Sequence, residues 1–379
     1  MKKFGLKTGL FILLSLFVVT SCDKNNGVND QSMMGDSSGQ DKVSMKKPMV
    51  EKTTVSVFAT GIAYPRELKF GPDGNLYVAL AGMGGSNLTT CTQVIAPVGP
   101  YMGGNNSSVV KISPAGVVST VIDKLPSSIN GLGSTLGAAD VDFVEGQLYV
   151  LSNAGCSHGN TEPAAILKVN RWNGTSTVFA NLSDYFLTHT VAAPEPDDFE
   201  PDGTAYSMVH MGENLYVIEP NHGELVKVSE NGWVSRVLDF SAHYGHIVPT
   251  VVTLNHGDFY VGNLDTIPFV AGSSAIYKVT PGGSVSKWET GFTTVLGIAF
   301  DKQDRLYVLE SSAVTGLMPM TGRVVRVNKN KTRDVIVDKL FFPTGMTFGP
   351  DGSLYISNTG FGPPTGSIVK VAFSKGNDS

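Results

Sequence analysis

A short apolar motif centred on a tyrosine recurs along the chain and sets its period. The six copies are centred on Tyr77, Tyr149, Tyr216, Tyr260, Tyr307 and Tyr355. A second motif, in which one basic residue stands between two apolar residues, follows each copy and is centred on Lys111, Lys168, Lys227, Lys278, Arg326 and Lys370. Because apolar and polar positions alternate in this second motif, it predicts a β-strand with one buried face.

Two further strands complete each repeat. An apolar strand precedes every tyrosine motif across a tight turn such as 71–74, and a fourth strand follows most basic motifs across a second turn such as 113–116. Glycine and aspartate are frequent in these turns, as short hairpins with positive φ require. Four antiparallel strands in about 45 residues, repeated six times, predict an all-β fold, the six-bladed β-propeller.

The N-terminal strand of the domain is expected to close the ring. Six basic motifs are followed by only five fourth strands, at 117–122, 175–180, 233–238, 284–289 and 333–337. The segment 53–58 has the composition of the missing strand, so we expect it to complete the last blade. Closure removes the open sheet edge that would otherwise template aggregation.

The two faces of the predicted propeller differ. The turns between first and second strands and between third and fourth strands share one face, the tight-turn face. The remaining connections share the opposite, long-loop face, and they comprise 80–107, 123–138, 152–164, 181–203, 239–248, 263–274 and 310–322. Long loops on a rigid scaffold usually carry function, so we expect any site on the long-loop face or in the channel mouth beneath it.

The N-terminus has the features of an export signal. Three lysines precede an apolar stretch that is too short to span a bilayer. The stretch ends in Val19-Thr20-Ser21-Cys22, which resembles a bacterial lipobox. The resemblance implies that residues 1–21 are a lipoprotein signal peptide and that Cys22 is acylated. The alternative is an ordinary secretory signal whose cysteine is incidental.

Residues 22–52 are polar and aperiodic and predict a flexible tether, which leaves 53–379 for the propeller. We therefore expect a protein held on a membrane by its N-terminal lipid, in the bacterial cell envelope, at the periplasmic side or the cell surface. The formal net charge of −5 leaves no basic footprint for nucleic acid. We expect a monomer.

Stretches spread over the whole domain resemble the ScyD/ScyE family. They include 249–262, Ile267-Pro268-Phe269, 349–358 and the opening segment Ala59-Thr60-Gly61. The resemblance covers roughly residues 54–373. It implies a secreted six-bladed propeller and supplies no reaction.

One set of polar residues could hold a cation in the channel. The residues three positions after each motif tyrosine are Leu80, Ser152, Glu219, Asn263, Glu310 and Asn358. Carboxylate and amide oxygens suit Ca²⁺, so Glu219, Asn263, Glu310 and Asn358 are candidate metal ligands. Metal-dependent lactonases on six-bladed propellers use such side chains. The alternative is that they cap strand ends, with no cofactor bound.

Other candidates lie in the predicted long loops. The acidic segment 195–202 contributes Asp197, Asp198 and Glu200, and further binding candidates are Tyr101, His222, Tyr244 and Phe269. Cys91 and Cys156 fall in loops of neighbouring blades on the same face. In an exported protein they are expected to form a disulfide, the alternative being two separate thiols.

Sequence motifs of catalysis are missing from the chain. It contains no G-x-S-x-G, HExxH, P-loop or CxxC pattern, so no catalytic residue is assigned. The expected function is therefore a non-catalytic binding or scaffold module that holds a small molecule, glycan or protein on its long-loop face. The alternative is a metal-dependent lactonase- or esterase-like hydrolase with a cation in the central channel.

Overall fold

A computed structural model describes residues 51–88, 91–96, 98–196 and 199–375. The predicted signal peptide, Cys22 and the tether up to residue 50 lie outside these residues. Residues 51 and 52, assigned to the tether, belong to the first strand instead.

Six antiparallel sheets form the six blades of a β-propeller, as the sequence predicts. The first strand of the domain is β1 (Glu51–Thr60). Blade 1 consists of β2 (Pro65–Phe70), β3 (Leu76–Leu80), β4 (Tyr101–Ile112), β5 (Val118–Asn130) and the short β6 (Thr135–Leu136). Blade 2 consists of β7 (Ala138–Val144), β8 (Gln147–Ser152), β9 (Ala165–Asn170) and β10 (Thr175–Asn181). Blade 3 consists of β11 (Ser207–Met211), β12 (Asn214–Glu219), β13 (Glu224–Val228) and β14 (Val234–Asp239).

The second half of the chain forms three more blades. Blade 4 consists of β15 (Pro249–Asn255), β16 (Asp258–Asn263), β17 (Ser274–Val279) and β18 (Val285–Phe292). Blade 5 consists of β19 (Val295–Phe300), β20 (Leu306–Glu310), β21 (Gly322–Val327) and β22 (Arg333–Leu340). Blade 6 consists of β23 (Gly345–Phe348), β24 (Leu354–Asn358) and β25 (Ser367–Lys375), completed by β1.

In the part of the chain that the structure describes, helical structure is confined to short pieces on the long-loop face. They are the 3-10 helix Cys156–His158, α1 (Leu182–Thr188) and α2 (Ser241–Tyr244). Within the described ranges, no helix has the length and apolar character needed to cross a membrane.

The N-terminal strand closes the ring as predicted. β1 pairs antiparallel with β25, so that Glu51 lies opposite Lys375 and Thr60 opposite Ser367. Because β25 runs from the long-loop face to the tight-turn face, Glu51 lies on the tight-turn face. The Glu51 carboxylate is fixed there by Arg305 and Arg326 of blade 5.

The motif tyrosines join neighbouring blades. Four of them pack edge-on against a phenylalanine near the end of the first strand of the next blade, in the pairs Tyr77–Phe143, Tyr260–Phe300, Tyr307–Phe348 and Tyr355–Phe70, with ring centroids 4.9–5.1 Å apart. Three of these tyrosines also donate their hydroxyl to an aspartate of their own tight turn. The repeated tyrosine therefore holds the blades together and fixes the tight turns.

Blade 1 departs most from the prediction. β4 begins at Tyr101, inside the loop expected at 80–107, and β5 continues to Asn130, beyond the predicted 117–122. The extension is possible because Gly103 lets its backbone approach the next blade: a Cβ at this position would lie 1.9 Å from the carbonyl oxygen of Gly159. The lengthened hairpin therefore packs against the loop of blade 2.

Candidate functional site

The predicted disulfide is present on the long-loop face. Cys91 and Cys156 are bonded, with 5.9 Å between their Cα atoms. The bond joins the loops that follow β3 in blade 1 and β8 in blade 2. It therefore fixes the part of the long-loop face where several predicted site residues meet.

Two of the predicted binding residues, Tyr101 and His222, contact a third, Glu200. The Tyr101 hydroxyl donates to Oε1 of Glu200 over 3.3 Å, and His222 Nε2 lies 3.0 Å from the Glu200 carbonyl oxygen. His158, which the sequence analysis did not select, contacts Oε2 of Glu200 through Nε2 at 2.9 Å. Because the Gly155 N–H donates to Nδ1 of His158, the ring proton is on Nε2 and is donated to the carboxylate.

These side chains are buried, and His222 is the one of them that also lines the pocket described below. Tyr101, His158, Glu200 and His222 are all buried among the loops of blades 1, 2 and 3. Loops of this length fold back on themselves, and a buried carboxylate needs partners from every side. The cluster therefore holds the loops together and shapes the surface above it.

The remaining predicted binding residues lie apart from this cluster. Phe269 is buried in blade 4, and its carbonyl accepts a hydrogen bond from Gly316. Tyr244 packs against Tyr277 with ring centroids 4.9 Å apart. Phe269 therefore contributes to packing in blade 4, and Tyr244 contributes to packing between blades 3 and 4. Asp197 and Asp198 lie outside the described residues.

An apolar pocket opens beside the Glu200 cluster. Its volume is about 380 Å³, and it is lined by Phe186, Leu187, Thr190, Val191, Pro194, Pro196, Phe199, Pro201 and His222. Phe199 stacks on His222 with centroids 5.0 Å apart, and Phe186 meets the same imidazole edge-on at 5.5 Å. The pocket is therefore built from α1 and from the proline-rich loop that follows it.

A polar pair lies behind the pocket wall. His222 Nδ1 and Glu224 Oε1 are 3.9 Å apart, and neither atom has a hydrogen-bond partner among the described residues. Burial raises the pKa of Glu224 to about 7, although Arg236 bonds its other oxygen at 2.6 Å. Glu224 and Arg236 lie behind the wall, and the residues that line the pocket itself carry mostly apolar side chains, which suits an uncharged or weakly polar ligand.

The four candidate metal ligands each bond to neighbouring loops and strands. Glu219 accepts hydrogen bonds from the N–H groups of Thr204, Asn221 and His222. Glu310 accepts from the Thr293 N–H and pairs with Arg323. Asn263 donates to the carbonyl of Ile247 and accepts from the Ala275 N–H, and Asn358 accepts from the Phe341 N–H. This is the geometry of strand-end capping. Among the described residues, no three His, Cys, Asp or Glu side chains group closely enough to hold a metal ion.

The central channel holds charged residues that the sequence analysis missed. First strands of all six blades enclose a cavity of about 340 Å³, into which Glu67, Lys69 and Asp140 project. Lys69 pairs with Asp142 at 2.9 Å between Nζ and Oδ2. Burial raises the pKa of Glu67 and raises that of Asp140 to about 7. The sequence did contain a signal for these residues, because Glu67 and Lys69, like Asp140 and Asp142, stand two positions apart in first strands that are otherwise largely apolar.

Arg66 crosses between blades at the long-loop end of β2. This buried guanidinium donates to the carbonyl oxygen of Gly360 over 2.5 Å and to both oxygens of Thr135 over 2.8 Å. Burial lowers the pKa of Arg66. The side chain therefore ties the loops of blades 1 and 6 together, and its charge opposes cation binding beside it.

Comparison with known proteins identifies the fold. No protein-family model matches the sequence, and no curated protein matches it. Among solved structures, the chain is similar to a protein of unknown function from Bacteroides thetaiotaomicron, with a TM-score of 0.57, 11% identity, and coverage of 86% of this chain and 77% of that chain. A glucose dehydrogenase gives a TM-score of 0.54 at 14% identity, over 85% of this chain and 100% of that chain.

A gluconolactonase from Xanthomonas campestris gives a TM-score of 0.53 at 9% identity, over 85% of this chain and 90% of that chain. The similarity shows the fold alone. The chain folds as a six-bladed β-propeller like the gluconolactonases. The ScyD/ScyE family is not among these findings and stays a prediction.

Proposed function

We propose that this protein is an exported, lipid-anchored β-propeller of the ScyD/ScyE type that binds a small apolar or aromatic ligand without chemical conversion. The observation that carries the proposal is the pocket between α1 and Phe199 on the long-loop face. Its walls are aromatic rings, aliphatic side chains and prolines. Sites for small molecules are typically concave, mostly apolar and edged by a few polar groups.

The surroundings of the pocket support binding over catalysis. His222, the titratable group among the residues that line the pocket, donates through Nε2 to the carbonyl of Glu200 and is stacked against Phe199. A general base needs a free nitrogen within reach of the substrate. The other nitrogen, Nδ1, is buried and faces Glu224.

A fluorescent apolar probe tests the pocket directly. We expect 8-anilinonaphthalene-1-sulfonate to bind the chain from residue 23 onward at one site, and Leu187→Asp to weaken this binding at least about tenfold, because an aspartate removes apolar contact from the wall. Val178→Asp is the matched control, since Val178 is equally exposed on the outer strand of blade 2. Equal probe binding by the wild type and Leu187→Asp would contradict the proposal.

A second candidate function is the metal-dependent lactonase-like hydrolase. One observation favours it: Glu67 and Asp140 bring two buried carboxyl groups into a channel cavity large enough for a small substrate. Measurement of bound metal, described below, separates this candidate from the binding module.

A further inference from the structure

The two most exposed large apolar side chains of the described residues are tryptophans. Trp172 is 98% exposed and Trp233 is 74% exposed. The third tryptophan of the chain, Trp288, packs against Tyr260 and Phe300 with centroids 4.7 and 6.2 Å away. Large exposed apolar groups usually mark an interaction surface when they share a face.

Both exposed tryptophans lie on the tight-turn face, in neighbouring blades. Trp172 is in the turn between β9 and β10 of blade 2, and Trp233 ends the turn between β13 and β14 of blade 3. The equivalent turn of blade 1 carries Val117, which is also exposed. Exposed apolar side chains such as Ile267 also occur on the long-loop face, but both of these exposed indoles lie on the tight-turn face.

The fold of these turns does not use the indoles. The turn at Trp172 is held by the Asn173 side chain, which accepts from the N–H of Thr175, and by Gly174 at a φ of 67°. The turn at Trp233 is held by Ser229 and by Gly232 at a φ of 83°. A polar residue in place of Trp172 would leave these turn contacts unchanged. The exposed rings therefore point to a partner outside the chain.

The N-terminal end of the propeller lies on the same face. β1 begins there at Glu51, whose carboxylate is fixed by Arg305 and Arg326. Residues 23–50 join Cys22 to this point in the sequence. An anchor at Cys22 would therefore be connected to the propeller at its tight-turn face.

The charges around the indoles are of both signs. Lys111, Lys168 and Arg171 line the hollows that Trp172 borders. In the turns of blades 2 and 3, Glu230 and Glu145 lie near enough to Glu213 to raise its pKa. A surface of mixed charge is not drawn to anionic lipid by charge alone. Carboxylates and indole rings suit the ammonium groups of zwitterionic headgroups, and tryptophan favours the membrane–water interface for its amphipathic ring.

We propose that the tight-turn face rests on the bilayer, with Trp172 and Trp233 placed among zwitterionic headgroups such as phosphatidylethanolamine. This inference rests on the cell-envelope location in the proposed function. It orients the molecule, because the apolar pocket on the long-loop face then opens away from the membrane. Pocket binding and membrane contact lie on opposite faces, so each can fail alone.

Quenching by brominated lipid tests the orientation. The chain from residue 23 onward, carrying an N-terminal hexahistidine tag, is held on phosphatidylcholine–phosphatidylethanolamine vesicles by a nickel-chelating lipid, which does not depend on acylation of Cys22. With brominated phosphatidylcholine we expect about half of the tryptophan emission to be lost, since two of three indoles contact the bilayer. Trp288→Phe, the matched control, should be quenched at least as strongly.

Two variants decide the outcome. Trp172→Phe/Trp233→Phe, which retains Trp288, should show almost no quenching. Adding Ile267→Trp to that double variant places an exposed indole on the long-loop face, and it should also remain unquenched. Quenching of this new indole to the level of Trp172, or no quenching of Trp288→Phe, would overturn the proposal. A dimeric wild type together with a monomeric Trp172→Phe/Trp233→Phe variant would also overturn the proposal, since the tight-turn face would then be a contact between two copies.

Discussion

The carboxylate of Asp140 in blade 2 accepts a hydrogen bond from the backbone N–H of Met208 in blade 3, with 2.6 Å between Oδ2 and N. The Val141 N–H donates to the other oxygen. Both bonds favour the ionised form, yet burial outweighs them and raises the pKa of Asp140 to about 7. This residue therefore joins two blades and carries a proton over much of the acidic range.

The raised pKa of Asp140 predicts a pH-dependent effect of its substitution. At pH values between 3.8, the ordinary pKa of aspartate, and about 7, the folded state binds this proton and the unfolded state does not. The stabilisation that the bound proton gives the folded state is therefore present at low pH and is lost as the pH rises through about 7. Asp140→Asn removes the titration. We expect the stability of the variant relative to the wild type to improve by on the order of 2–4 kcal/mol from pH 5 to pH 8, measured by urea unfolding. A constant difference across this range would contradict the assignment.

The disulfide predicts a loss of stability on removal. Cys91 and Cys156 are 65 residues apart in sequence, and for a loop of this length the chain-entropy model gives at most about 4 kcal/mol. We expect Cys91→Ser/Cys156→Ser to lower the free energy of unfolding by about 2–4 kcal/mol. Urea titration measures the loss, and the wild type with reductant should match the variant. No change in either sample would show that the bond does not stabilise the fold.

The repeat could be predicted from sequence because a tyrosine makes similar packing contacts in most blades. Four of the six motif tyrosines pack on a phenylalanine of the next blade and three of these bond their own turn. Because all six stand at the same position of the second strand, their period gives the blade count. The closing strand followed from the same count. The disulfide followed from two cysteines on one face of neighbouring blades.

The candidate site was less predictable, since loop positions have no period. Tyr101 and Phe269 were selected as binding candidates in the long loops, and the loops fold over both and bury them. Glu67 and Asp140 belong to first strands, where sequence alone does not show which alternate positions face the channel. Trp172 and Trp233 sit in turns, whose side chains follow no packing pattern.

The hydrogen bonds of Glu219 and Glu310 predict that the purified protein holds no stoichiometric divalent metal. Glu219 accepts from three backbone N–H groups, and Glu310 is paired with Arg323, so binding an ion would require breaking these contacts. The check is total metal analysis of the chain from residue 23 onward, purified without chelator. One tightly bound ion per chain would favour the hydrolase and justify a screen of lactones and esters, gluconolactone first. Loss of the ion in Glu219→Ala/Glu310→Ala would place it at the predicted ligands, and loss in Glu67→Gln/Asp140→Asn would place it at the channel carboxyl groups.

Ring closure by β1 predicts where the folded domain begins. β1 is the outer strand of blade 6 and pairs with β25 along almost its whole length, from Glu51 to Thr60. A chain that starts at residue 61 would expose the edge of β25 and leave Arg305 and Arg326 without the Glu51 carboxylate. Exposed edges recruit other strands, so we expect this truncation to aggregate or to lose cooperative unfolding. A chain that starts at residue 49 should retain the melting temperature of the chain from residue 23 onward, because it keeps all of β1. If the chain from residue 61 melted at the same temperature as both longer chains, closure by β1 would contribute nothing to stability.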